Sequence, residues 1–193
     1  GSCWSFSTTG AVEGAHFVKH NELLSFSEQQ LVDCDRGLMK NHGCQGGIMD
    51  RAFDYIETDG IMQESDYPYT AKNGDCKYDK SKAATYVLNY HDVTKDSPAQ
   101  LKAALNEGPV AVAIEADQKA FQAYTSGVIT TGCGQKLDHG VLTVGYGTEN
   151  GEDYFLVKNS WGPSWGANGF VKIGGSSSNV CGILSEPSIP SDK

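Results

Sequence analysis

Three short stretches carry side chains able to do nucleophilic chemistry together. The first, Gly1-Ser2-Cys3-Trp4-Ser5-Phe6-Ser7, sets a thiol in the opening turn of a segment that reads as a long helix. A helix N-terminus offers N–H groups with no intrahelical partner and the positive end of the peptide dipoles. Both favour thiolate over thiol, and the thiolate is the nucleophile. The second, Leu137-Asp138-His139-Gly140, opens an apolar strand with an imidazole, the side chain best suited to take up and return a proton near neutral pH. The third, Lys158-Asn159-Ser160-Trp161-Gly162, closes the next apolar stretch with a carboxamide that can accept the second ring N–H of a histidine. Of the five histidines, His16, His20, His42 and His91 fall in the first helix or in loops and read as structural or solvated. His139 alone stands at a strand start. Taken singly, Cys3 reads more readily as a small buried hydrophobe beside Trp4 than as a catalyst.

These residues need elements to hold them, and the chain supplies helices first and strands afterwards. Ser2 is placed to cap a helix whose Phe6, Ala11, Ala15 and Val18 would form its apolar face. Ser27 and Gln30 make a capping box for a second, short helix, with Phe26 and Leu31 as its hydrophobic staple. A loop from Asp35 to Gly47 carries Cys44-Gln45-Gly46-Gly47, and a third helix follows with Met49, Phe53 and Ile56 on one face, ending at Gly60. Residues 61–90 are loop-rich. Ser97-Pro98-Ala99-Gln100 starts another helix that stops before Gly108-Pro109. Strands are expected at 110–115, 140–146, 154–158 and 169–173, with an extended tail over Glu186-Pro187-Ser188-Ile189-Pro190. The class is α+β, with the boundary near residues 86–92. That gives a helical part over 1–88, a β part over 89–186 and a tail over 187–193.

Composition narrows the function. With 39% hydrophobic and 20% charged residues the chain is an ordinary globular sequence. Its net charge of −9 argues against nucleic acid, whose phosphates it would repel. No apolar run is long enough to cross a bilayer, and the chain reads as a processed or partial one. If Cys3 is a nucleophile, the remaining cysteines Cys34, Cys44, Cys76, Cys133 and Cys181 are odd in number, and spacing alone cannot pair them.

The front Cys-Trp pair, then Asp138-His139-Gly140 and Asn159-Ser160-Trp161-Gly162, followed by Ser164-Trp165-Gly166, resemble a papain-like cysteine protease of the cathepsin L-like kind. In that family the histidine and asparagine follow the nucleophile by roughly 130–150 residues. The resemblance covers the whole chain. It implies a papain-like two-lobe fold, a helical lobe plus an antiparallel β-barrel-like lobe, with the active-site cleft between them and the tail crossing back. It implies peptide hydrolysis through an acyl-enzyme, with Cys3 as nucleophile, His139 as acid and base, Asn159 as orienting group and Trp161 covering their hydrogen bond. Substrate would be lined by Gly46, Gly47, Ile48, Met49, Ala113, Leu137, Asp138, Gly140, Trp161 and Glu186. Glu186 falls at the floor of the S2 pocket, where a carboxylate could pair with a P2 arginine, or else turn to solvent.

The resemblance also pairs Cys34 with Cys76 and Cys133 with Cys181. It pairs Cys44 with a cysteine immediately before Gly1, so Cys44 is expected to be unpaired by truncation. The family's second oxyanion donor, a glutamine, would likewise precede Gly1. Loss of one such donor costs about 2.7–4 kcal/mol, so protein starting at Gly1 is expected to turn over poorly. The remaining expectations are a monomeric endopeptidase made as a zymogen and held lysosomal, endosomal or secreted. It would act on protein or peptide substrates and be restrained by its own pro-segment and by cystatin-type inhibitors. No cofactor or metal is expected. Two other readings remain open: a non-catalytic binding protein on a protease scaffold, and a zinc site at Cys34, His42 and Cys44, whose spacing fits zinc poorly.

Overall fold

In the computed structural model, which describes all 193 residues, the chain forms two compact units. Gly1–His91 with Pro190–Lys193 make the first, and Asp92–Ile189 the second. No helix is long and apolar enough to cross a membrane.

The first unit is organised by α1 (Cys3–His20). Its buried side differs from the apolar face expected from the sequence. Trp4, Ser5, Ser7, Thr8, Thr9, Ala11, Val12 and His16 are buried, whereas Val18 is 63% exposed. A helix hidden nearly all round in its first half must satisfy its own polar side chains, and the hydroxyls do so by bonding back along the helix. Ser5 Oγ donates to Ser2 O at 2.6 Å and Thr8 Oγ1 to Trp4 O at 2.7 Å. Ser2 occupies the N-cap position without a capping bond, its hydroxyl lying 2.6 Å from that of Tyr69.

Then come α2 (Glu28–Cys34) and α3 (Met49–Asp59), followed by β1 (Ile61–Met62), β2 (Ala83–Thr85) and β3 (Val87–Asp92). Ser27 caps α2 by accepting from Gln30 N. The expected reciprocal bond from Gln30 is not made. Its amide donates to Tyr55 OH and Gly60 O and accepts from Met62 N, so it ties the start of β1 to the helices. Phe26 and Leu31 are fully buried, as are Ala52, Phe53 and Ile56 of α3. The loop-rich stretch is fastened from below. Asp33 accepts from Tyr67 OH at 2.7 Å and from Gly74 N at 2.9 Å, beside the Cys34–Cys76 disulfide. With Cys34 in that bond, it cannot serve as the thiolate of a zinc site.

The second unit holds α4 (Pro98–Leu105), β4 (Val110–Ile114), α5 (Lys119–Gln122), β5 (Val128–Ile129), β6 (His139–Glu149), β7 (Glu152–Lys158) and β8 (Phe170–Gly174). β9 (Ser188–Asp192) follows, starting in this unit and ending in the first. Here the sheet runs β9-β4-β6-β7-β8-β5. This is the expected β lobe, with two details that the sequence did not specify. The sheet is open, and its last pair, β5 with β8, is parallel at Val128↔Lys172 and Ile129↔Ile173. A two-residue edge strand offers too few ladder bonds for closure. β4 is flanked by strands on both sides and buried almost throughout, and Phe155 and Val157 alternate inward on β7. With Leu101, Phe121, Val141 and Ile173 they form the core. The Cys133–Cys181 disulfide ties the loop before β6 to the turn after β8.

One carboxyl group gives the first unit a pH dependence. Burial pushes Glu28 up to about 8, with the Glu64 and Glu13 carboxylates adding repulsion. Thr9 Oγ1 donates to it at 2.5 Å. A carboxyl whose folded value lies above its unfolded one favours folding when protonated. Its contribution is complete below the unfolded value near 4.5 and is lost as pH rises through about 8. Thermal melts from pH 5 to 8 should therefore show the Tm of Glu28→Gln declining less than that of the parent protein, with the variant the more stable at pH 8.

Candidate active site

In the first unit, Cys3 is the first residue of α1, half-buried, and lies outside both disulfides, as does Cys44. Its neighbour Trp4 fixes what surrounds it. The indole N–H donates to Gly43 O at 2.9 Å, and a Cβ on Gly47 would come within 2.6 Å of the Trp4 ring. Glycine is therefore required at 47 by close approach. At 46 it is favoured by backbone conformation, with φ +128°. Asn41 completes the clamp: its Oδ1 accepts from Ile48 N at 2.7 Å and its Nδ2 donates to Asp35 Oδ2 at 2.6 Å. The result sets Gly46 and Gly47 beside the turn that carries Cys3, with Ile48 exposed and Met49 buried.

In the second unit, strand register positions the imidazole. β4 pairs with β6 so that Ala113 faces Gly140 and Ile114 faces His139. β6 pairs with β7 so that Leu142 faces Lys158. Carrying that register on by antiparallel pairing brings Asn159 and Trp161 alongside the start of β6. His139 Nε2 lies 2.7 Å from Asn159 Oδ1, and Ser160 N donates to the same oxygen at 2.8 Å. Because the Ser160 N–H must meet an acceptor, that atom is the carbonyl oxygen, so the hydrogen between the two side chains belongs to His139 Nε2. This leaves Nδ1 as the nitrogen that gains and loses a proton. The Asn159 amide nitrogen is buried with no hydrogen-bond partner.

Aromatic rings close over this pair. Trp161 lies 5.0 Å from the His139 ring at 34°, and Phe121 of α5 packs edge-on to both at 5.4 and 6.3 Å. Trp161 is itself 40% exposed. Asp138 is exposed, and its carboxylate accepts from Ala116 N at 2.8 Å, locking the end of β4 to the start of β6. Buried Glu115 accepts from Gly134 N and Lys136 N and so holds the loop that carries Leu137. Glu186 is exposed.

Sequence reasoning missed Asn41, Glu115 and Phe121. Phe121 sits on a one-turn helix too short to show periodicity. Nothing about Asn41 or Glu115 distinguishes them from surface polar residues until their loops are folded.

The chain matches the family described as papain family cysteine protease over residues 1–191. It belongs to that family. It is 50% identical over its whole length to a probable cysteine protease, RD21B, of Arabidopsis thaliana, and covers 42% of that protein. It is 51% identical to digestive cysteine proteinase 3 of Homarus americanus, with 98% of the chain and 60% of that protein covered. This papain-family chain thus spans about half the length of the curated relatives it matches. Its backbone superposes on digestive procathepsin L 3 of Tenebrio molitor larval midgut with a TM-score of 0.94 at 46% identity, covering 98% of the chain and 63% of that one. Against the bromelain protease of Ananas comosus in complex with the E64 inhibitor the TM-score is 0.91 at 37% identity, with 99% and 89% covered. The expected papain-like fold is the fold of this chain.

The tautomer has a direct readout. The His139 Nε2 proton should appear as a slowly exchanging, downfield imidazole resonance in NMR spectra. Asn159→Ala should abolish it, and Trp161→Ala should keep the bond while accelerating exchange of its proton with water.

Proposed function

We propose that this chain is the peptidase domain of a cysteine endopeptidase working through Cys3, His139 and Asn159. Cys3 Sγ, as thiolate, attacks the peptide carbonyl carbon. The C–N bond breaks as His139 Nδ1 gives its proton to the departing amine, leaving an acyl-enzyme. Nδ1 then takes a proton from water, whose hydroxide displaces Cys3 and releases the carboxylic acid. The Cys3 backbone N–H serves as an oxyanion donor during both steps.

The observation that carries this reading is the fixed tautomer of His139. A carbonyl oxygen already committed to Ser160 N–H holds Nε2–H beneath Trp161. An imidazole tied in that way presents one nitrogen only, which is what repeated proton exchange with a thiol and an amine requires. A thiol at the first turn of an 18-residue helix supplies the matching acid.

Protein and peptide substrates would bind along Gly46 and Gly47, with Ile48, Met49, Ala113, Leu137, Asp138, Gly140 and Glu186 forming subsites. An E64-type inhibitor, present in the bromelain complex, would alkylate Cys3. The pro-segment and cystatin-type inhibitors would act as restraints. The digestive relatives favour a secreted or lysosomal setting.

Two measurements on the complete protein test the proposal. An epoxide inhibitor of this type should label Cys3 stoichiometrically, and Cys3→Ala should lose labelling together with peptide turnover, by on the order of 10⁵–10⁶-fold as for removal of other acyl-transfer nucleophiles. Turnover retained in Cys3→Ala would defeat the mechanism, and an unlabelled wild type would point to a binding module. For specificity, Glu186→Ala should lower the preference for arginine over phenylalanine at P2. An unchanged ratio would remove Glu186 from the S2 pocket.

A further inference from the structure

At the opposite end of α1 from Cys3 stands a second cluster of ligating groups. His16 and His20 stand one turn apart on the same helix face. Between them lies the carboxylate of Asp192, its side chain fully buried, with Oδ2 at 2.9 Å from His16 Nδ1 and at 2.9 Å from His20 Nε2. One ligand atom from each of the three residues lies within 4.8 Å of the others. Tetrahedral ligation at about 2.1 Å places ligand atoms about 3.4 Å apart, so small side-chain shifts would complete the geometry.

Partners stand behind two of the three residues in the way that supports a metal ligand. His16 Nε2 lies 3.1 Å from Glu22 Oε1, and Thr85 Oγ1 donates to Asp192 Oδ1 at 2.8 Å. His16 and Asp192 are thus each backed by a hydrogen bond at the opposite end of the side chain, which fixes orientation and raises basicity, while His20 Nε2 also lies 3.2 Å from Lys193 O. Both ring nitrogens of His16 face carboxylate oxygens, which only accept. Two such contacts require either a doubly protonated ring or a cation in place of one proton. Asp192 makes no ion pair with Lys or Arg, and Lys193 turns its ammonium onto the Tyr86 ring. Its buried charge depends on the imidazoles or on a cation held between them. The site is reachable, since the side chains of His20 and Glu22 are 41% and 60% exposed.

We propose that His16, His20 and Asp192 form a structural binding site for a divalent transition metal of the zinc type. Two imidazoles and one carboxylate suit that ion better than calcium or magnesium, which prefer all-oxygen shells. Binding would proceed through His16 Nδ1, His20 Nε2 and Asp192 Oδ2. The ring protons facing Asp192 leave to solvent, while the Nε2–H of His16 stays on Glu22. The consequence is mechanical: the metal would staple the C-terminal end of α1 to Asp192 at the end of β9. The inference is independent of the proposed catalysis.

The test is zinc titration of the complete protein by calorimetry and by thermal melts with Zn²⁺ or EDTA, after alkylating Cys3 and Cys44 so that no thiolate competes. The parent should bind Zn²⁺ at this site and melt higher with the metal than with EDTA. His20→Gln alters a partly exposed side chain and should leave the circular dichroism spectrum unchanged. It should weaken that binding at least tenfold and cancel the melting shift. Asp192→Asn should do the same if it folds. Absence of zinc binding by the alkylated parent, or equal affinity and stoichiometry in His20→Gln, overturns the proposal.

Discussion

The antiparallel pairing of β6 with β7 is the constraint on which the chemistry of the second unit depends. Side chains alternate across a strand, so a slip of one residue would send His139 and Asn159 to opposite faces of the sheet. The register is held from both sides. Phe155 and Val157 must stay in the core, and β4 pins the start of β6 through Ile114↔His139. The loop preceding it is held by Glu115 and the Cys133–Cys181 disulfide. The hydrogen bond between His139 and Asn159 is thus a consequence of core burial some residues away.

In the first unit the corresponding role falls to a helix that hides polar side chains. The N-terminal half of α1 buries serines and threonines whose hydroxyls are satisfied by its own carbonyls and by Glu28. Such a helix packs closely on all sides at little cost in unpaired groups. Close packing is also what demands glycine at 47, against the face of Trp4. The thiol-bearing turn and the glycine loop are consequently one packed piece.

Family membership and physical reading bear on different questions. Identity near 50% over the whole chain establishes kinship and fold. The tautomer of His139, by contrast, follows from which atoms around Asn159 donate and which accept, and it would be deduced in the same way for a chain without relatives.

Much of this was legible from residue order alone. Ser27 and Ser97 as helix caps, the inward residues of α3, and the apolar stretches that became β4, β6, β7 and β8 follow from short-range rules of capping and periodicity. The pairing of His139 with Asn159 was legible because their sequence contexts match a distinctive family pattern. The buried face of α1 was not, since hydroxyls bonded to the preceding turn look like surface residues in a sequence. Gln30 was misread for a related reason: its local partner competes with distant ones that exist only after folding. The grouping of His16 with Asp192, across 176 positions, depends wholly on where the last strand lies. Sequence by itself determined the elements and the chemistry available to them. Only the tertiary structure decided which polar groups meet, because a hydrogen bond between remote residues leaves no local pattern.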